Sequence, residues 1–140
     1  MRSLILLALI LLPASLHADD LQALQGTWET TLQIQGKPYT ILKTIKDNTE
    51  TYDLLLGDQL IKRHEVTFEL KTIDDFSIFS YAQGRVTKGQ GIGNVIPAGK
   101  YIYQLKDDTW TASFGFQKKD QSTPFILVFK RSSVRLPLPN

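Results

Sequence analysis

The sequence contains no cysteine, only two histidines and a single methionine, which is the first residue. The lack of cysteine excludes a disulfide scaffold, a cysteine-based zinc site, an iron–sulfur cluster and a lipid anchor on cysteine. No long basic run is present and the formal net charge is only +2, so we expect no binding to nucleic acid. The 140 residues, 42% of them hydrophobic and 21% charged, have the composition of one globular domain.

The first 18 residues have the pattern of a secretory signal peptide. Arg2 precedes an apolar run over residues 4–12, and a small residue, Ala18, stands at the expected cleavage point. The run is too short to cross a bilayer as a helix, which takes about 20 apolar residues. We therefore expect a periplasmic or secreted protein that begins at Asp19 and has no membrane association after cleavage. An uncleaved N-terminal anchor is the alternative.

From Asp19 onward a period of two dominates the sequence. Leu21 and Leu24 have helical spacing and predict one short helical turn. Apolar and polar residues then alternate in about eight segments separated by turn residues. These predicted strands cover residues 28–35, 39–45, 52–56, 60–72, 76–81, 101–105, 110–116 and 125–129. Because nearly every connection has hairpin length, we predict an all-β antiparallel up-and-down barrel over residues 19–131, followed by a loose tail at 132–140.

Four short motifs occur along the chain in a particular order. They are Leu24–Trp28, Gly36–Pro38, Tyr103–Leu105 together with Asp107–Thr109, and Leu127–Arg131. In this order and spacing they resemble a family of small exported lipocalin-like domains of planctomycete bacteria, over nearly the whole chain after residue 18. More distantly, the glycine and tryptophan of the first motif resemble the Gly-x-Trp motif of lipocalins. The resemblance implies a lipocalin-like barrel, and it implies no catalytic residues because the family has no assigned activity.

Gly26, Trp28 and Arg131 are expected to form a structural motif at the floor of the barrel. Gly26 permits a positive φ or a close backbone approach. Trp28 combines a large apolar body with an indole N–H donor. The resemblance to lipocalins implies a basic residue over this ring, and we predict that Arg131, rather than Lys130, makes the cation–π contact. The alternative is that Arg131 is a solvated charge at the end of the last strand.

Residues 83–99 are rich in glycine and interrupt the alternating pattern. The spacing of Gly84 and Gly89 matches a phosphate loop, but Gln90 and Gly91 stand where lysine and serine or threonine are required. We therefore exclude a nucleotide site. The segment is expected to be a flexible loop at the barrel mouth or, alternatively, a lid or recognition loop.

His64 is the only histidine after residue 18, so a histidine-rich metal site is excluded, and we expect no metal and no cofactor. Alternation places His64 on the same face as Val66, which favours a core histidine; the alternatives are a ligand-contacting or haem-ligating histidine and a surface histidine. Most aromatic residues are expected in the core. If the lumen is open, we predict that His64, Tyr101, Tyr103 and Trp110 contact the ligand, because tyrosine and tryptophan add a polar handle to an apolar wall.

The function predicted from the sequence is binding rather than catalysis. No nucleophile elbow is present, and we expect that the protein is not an enzyme. A barrel of about eight strands is either filled by side chains or holds one small ligand. We predict an exported lipocalin-like protein that binds a small apolar or amphipathic molecule in the lumen. The alternative is a filled structural barrel that acts through its surface, as an inhibitor or an interaction module with a protein partner.

Two sets of residues distinguish these functions. An unfilled lumen that includes Thr30, His64 and Ala112 favours ligand binding. A lumen that is plugged by aromatic side chains favours the surface function, and the residues expected to form such a plug are Phe114, Phe116 and Phe129.

Overall fold

A computed structural model describes residues 16–116 and 123–133. The elements within these residues are one helix, α1 (Leu16–Leu24), and ten strands. The strands are β1 (Gly26–Ile34), β2 (Lys37–Lys46), β3 (Thr49–Leu56), β4 (Gln59–Ile73), β5 (Phe76–Tyr81), β6 (Gly84–Gly89), β7 (Val95–Ile96), β8 (Gly99–Lys106), β9 (Thr109–Phe114) and β10 (Phe125–Arg131).

Eight of the ten strands close into an antiparallel barrel. Their order around the barrel is β1, β2, β3, β4, β5, β8, β9 and β10, and each pairs with the next. The last strand closes the barrel by pairing with the first, through Trp28 opposite Arg131 and Glu29 opposite Lys130. The all-β up-and-down barrel predicted from the sequence is therefore confirmed.

The glycine-rich segment is more regular than the loop that the sequence predicts. Strand β4 is 15 residues long, and β5 pairs only with its second half, residues 68–73. Strand β6 pairs with Lys62–Glu65 in the first half, and β7 pairs with β6 as a short hairpin. A Cβ atom on Gly84 or Gly89 would lie 2.1 or 2.2 Å from backbone oxygens of β4. The glycines thus let β6 approach β4 closely.

Helix α1 covers one end of the barrel, which we call the closed end. It packs through Leu21 and Leu24, and Leu24 is fully buried in the same cluster as Trp28. The helix is longer than the predicted turn, since it begins at Leu16. Residues 1–15 of the predicted signal peptide and 134–140 of the predicted tail lie outside the described residues. No helix in the described ranges is long and apolar enough to cross a membrane.

Aromatic side chains fill the half of the lumen next to the closed end. Trp28 and Trp110 are both fully buried and meet edge to face, with ring centroids 5.8 Å apart. Phe79 and Phe129 pack on Trp110 at centroid distances of 5.7 and 5.4 Å. The opposite end, where β1, β3, β5 and β9 finish, is called the open end.

Candidate functional site

A cavity of about 230 Å³ lies in the lumen on the side of the open end. Period-two alternation turns one face of every barrel strand inward, so residues from several strands converge on this space. The cavity is lined by Lys43, Glu50, Tyr52, His64, Val66, Tyr81, Ile96, Tyr101, Phe114 and Leu127. Its walls are mainly aromatic and aliphatic, with a small number of polar groups among them.

The principal polar feature of the cavity is an ion pair between Lys43 on β2 and Glu50 on β3. The Lys43 ammonium nitrogen lies 3.0 Å from Glu50 Oε2 and donates a second hydrogen bond to the Tyr101 hydroxyl at 3.2 Å. Both charged side chains are buried, at 5% and 6% exposure. Burial of two charges is costly unless they are paired and hydrogen-bonded, and the geometry here meets that condition.

The Lys43 ammonium also lies among four aromatic rings. Its nitrogen is 4.9 Å from the ring centroid of Trp110, 5.0 Å from that of Tyr101, 5.3 Å from that of Phe129 and 5.8 Å from that of Phe79. Aromatic faces attract a cation at such distances. Three of these rings belong to the filled half, so Lys43 stands at the boundary between the filled half of the lumen and the cavity.

His64 supplies the cavity with a neutral imidazole. Its ring stacks on Tyr52 with centroids 4.5 Å apart and an interplanar angle of 9°. Burial, reinforced by the charges of Lys62 and Lys43 and partly opposed by Asp53, lowers the pKa of His64 to about 4. Nδ1 is buried and has no hydrogen-bond partner within the described ranges. The imidazole therefore forms an uncharged part of the cavity wall, and its Nδ1 atom has unused hydrogen-bonding capacity.

The tyrosines of the cavity are uncharged as well. Burial and the Glu50 carboxylate raise the pKa of Tyr52 to about 12. The same two causes raise the pKa of Tyr81, and burial first of all raises the pKa of Tyr101 well above its usual range. With the tyrosines and His64 neutral, the charges of Lys43 and Glu50 cancel, so the lining that residues 16–116 and 123–133 provide carries no net formal charge.

Two of the four residues predicted to contact a ligand line this cavity. They are His64 and Tyr101. Trp110 lies just outside its lining, fully buried in the filled half, and its indole Nε1 has no hydrogen-bond partner in residues 16–116 and 123–133. Tyr103 is directed towards the closed end, where its hydroxyl donates to Asp20 Oδ2 at 2.6 Å. The structure thus brings His64 and Tyr101 together and separates Tyr103 from them.

Sequence reasoning did not identify Lys43 and Glu50. A usable signal was present, because Lys43 alternates in phase with Ile41 and Ile45, both of which are buried core residues. A lysine in the apolar phase of a strand is a candidate for a buried, paired charge. The partner Glu50 could not be named from the sequence, since the pair depends on the β2–β3 register.

A second cavity, of about 360 Å³, adjoins the first at the open end. The two share Tyr81, Ile96, Tyr101 and Phe114. Ile96 comes from β7, so the glycine-rich segment contributes to the wall between them. We call the first space the inner cavity and the second the outer cavity. The outer cavity extends from the lumen wall to the exposed aromatic ring of Phe125.

At the closed end, the predicted contact between Arg131 and Trp28 is present. The guanidinium carbon lies 4.2 Å from the Trp28 ring centroid. The same guanidinium donates to the carbonyl oxygens of Ala23 and Gln25 at 2.7 and 2.8 Å. Gly26 has a φ of 108°, and a Cβ there would lie 3.2 Å from Arg131 Nη1. Gly26 therefore provides both the backbone conformation and the space that the motif needs.

No family model, no curated protein and no solved structure matches this chain. Within the described ranges, no group of three or more histidine, cysteine, aspartate or glutamate side chains could hold a metal ion.

Proposed function

We propose that this protein is an exported lipocalin-like binding protein that holds one small apolar or amphipathic molecule in the barrel lumen. The observation that carries the proposal is the inner cavity, a space of about 230 Å³ lined mainly by inward-facing residues of the barrel strands. Mainly apolar walls with a small number of convergent polar groups are typical of small-molecule sites. Affinity would come from apolar burial, and orientation from the Lys43–Glu50 pair and His64.

The positions of three phenylalanines support an open lumen over a plugged one. Phe129 is buried in the half that is already filled, whereas Phe114 forms part of the cavity wall and stacks on Phe125 at 4.9 Å. Phe116 is 56% exposed. These side chains therefore leave the inner cavity unfilled.

The size of the inner cavity limits the ligand. The cavity is smaller than the pockets that bind drug-sized molecules. We therefore expect a ligand with a single ring or a short chain in the inner cavity, and any longer part of it would extend into the outer cavity.

We propose binding without catalysis. Among the lining residues that the structure describes, His64 is the only imidazole, and none is serine, threonine or cysteine. A serine, threonine or cysteine nucleophile needs an activating base, such as an imidazole, within hydrogen-bond reach. Export to the periplasm or the medium is proposed from the apolar run at residues 4–12, which precedes the barrel.

Native mass spectrometry of the protein, recovered without denaturation from its host's exported fraction, tests the proposal. We expect a discrete adduct that is lost on denaturation. Leu127→Trp should abolish the adduct by filling the inner cavity. Val128→Trp is the matched control, because Val128 is the next residue on β10 and is 45% exposed. An adduct that survives Leu127→Trp, or that is lost equally in both variants, would contradict binding in the lumen.

A further inference from the structure

We propose that the Lys43–Glu50 pair is the recognition element of the inner cavity, and that it selects an uncharged planar ligand with a carbonyl oxygen next to an N–H, as in a carboxamide or a lactam. This inference rests on the binding function proposed above and adds the chemical class of the ligand.

A hydrogen-bond donor lies beside an acceptor in the wall of the inner cavity. The ammonium and the carboxylate both line the cavity, 3.0 Å apart. Lys43 uses two of its three N–H donors, on Glu50 and on Tyr101. Within the described ranges Glu50 accepts through Oε2 from Lys43, and a carboxylate has further lone pairs. A carbonyl oxygen next to an N–H matches this neighbouring donor and acceptor.

The charges of the cavity lining disfavour the binding of charged ligands. The described part of the cavity lining is electrically balanced, since Lys43 and Glu50 cancel and its other ionisable groups are neutral. A cationic ligand would meet an ammonium that already lies among four aromatic rings. An anionic ligand would meet the Glu50 carboxylate, and among the described lining residues neither ion would find a free counter-charge to replace its lost hydration.

The stability of the fold does not account for the presence of the Lys43–Glu50 pair. A buried ion pair can usually be replaced by apolar residues of similar size with no loss of stability, or even a gain. Lys43 and Glu50 instead face an unfilled space. A role in recognising a ligand explains why two charges lie there.

The shape of the ligand follows from the walls. Tyr52 and His64 stack in parallel at 4.5 Å, and Phe114 packs on Tyr101 at the same centroid distance. Flat aromatic walls favour a flat ring, which gains stacking contacts on entry.

Four probes that share one phenyl ring test the inference by isothermal titration calorimetry: toluene, benzamide, benzoate and benzylammonium. We expect benzamide to bind at least about tenfold more tightly than toluene, as hydrogen bonds to charged groups imply. Benzoate and benzylammonium should bind more weakly than toluene. Equal affinities for benzamide and toluene, or tightest binding of either ion, would overturn the inference.

Two double variants locate the effect. Lys43→Met with Glu50→Leu should still bind toluene but lose the preference for benzamide. The control is Asp53→Asn with Arg63→Gln, which removes a bidentate ion pair of 2.6 and 2.7 Å that does not line the cavity. This control should keep the preference.

The outcomes separate this inference from the proposed function. Toluene binding without a benzamide preference in the wild-type protein overturns the inference alone. Survival of the preference in the variant without Lys43 and Glu50 does the same. Failure of every probe to bind, together with an adduct-free native protein, overturns both.

Discussion

The two ends of the barrel use similar groups with different results. At the closed end, the Arg131 guanidinium lies over Trp28 and donates to the carbonyl oxygens of Ala23 and Gln25 and to the Asp108 carboxylate. Towards the open end, the Lys43 ammonium lies among aromatic rings and borders a cavity. At the closed end, acceptors of the protein itself use the donors of the cation, which therefore stabilises the fold. Towards the open end, a donor and empty space remain, and the proposed function assigns the binding site to this place.

The same contrast holds for the aromatic residues. Trp28, Trp110, Phe79 and Phe129 have no exposed surface and pack on one another in the filled half. Phe114, which borders the inner cavity, is only partly buried. The filled half should therefore supply most of the stability that comes from packing, and the apolar walls of the open half should tolerate change and determine specificity.

Removal of Trp28 should cause the largest loss. Trp28→Ala deletes a fully buried ring and the indole N–H bond to the Leu24 carbonyl. We expect the free energy of unfolding to fall by about 3–5 kcal/mol, against about 1–2 kcal/mol for Phe114→Ala, which borders existing space. Urea denaturation measures both. Equal losses would mean that the two halves do not differ in packing.

Breaking the internal ion pair should cost almost as much. Glu50→Gln leaves the Lys43 charge buried without a counter-charge, and we expect a loss of about 3 kcal/mol. Adding Lys43→Met should restore most of it, because the unpaired charge is then removed. A double-mutant cycle from urea denaturation gives the coupling. If the second substitution only adds to the first loss, the two residues do not act as a pair.

Arg131→Ala should destabilise the closed end by about 1–2 kcal/mol, through loss of the cation–π contact and of hydrogen bonds to carbonyl oxygens. The expected readout is a lower Tm with unchanged affinity for toluene. Arg131→Lys keeps the charge but not the forked geometry of the guanidinium, so its Tm should lie between those of the wild-type protein and Arg131→Ala. An unchanged Tm in Arg131→Ala would show that the contact with Trp28 contributes nothing measurable.

The smallest effect is expected from the titration of His64. Its pKa is lowered from 6.5 to about 4, first by burial and then by Lys62 and Lys43, against the opposing charge of Asp53. Between these values the unfolded chain binds more protons, so stability falls as the pH falls through this window. The slope cannot exceed the contribution of one proton, and exposure of part of the ring to solvent reduces the total change in stability. His64→Gln should flatten that part of the Tm-against-pH curve, and an unchanged curve would contradict the lowered pKa.

The strands were predictable because period-two alternation is local. Trp28, His64 and Phe129 each fall in the apolar phase of a strand that the structure contains. The pairing of β6 with β4 was not predictable, because it depends on the unoccupied edge that a 15-residue strand leaves beside a 6-residue partner.

The candidate site was predictable only in part for a similar reason. His64 and Tyr101 were predictable as site residues, because alternation places their polar rings on the inward faces of their strands. Lys43 and Glu50 could not be paired without the register that brings β2 beside β3. Tyr103 shares an inward face with Tyr101, but its depth along the barrel places it near Asp20 instead of the cavity.

The most direct test of the account is an NMR titration of isotope-labelled protein with toluene, followed through the backbone amides. Binding in the inner cavity predicts saturable shifts at His64, Tyr101 and Leu127, with little change at Gly26 and Trp28. Shifts that do not saturate, or that are confined to the outer face of the barrel, would contradict the claim that the open half of the lumen is a binding site.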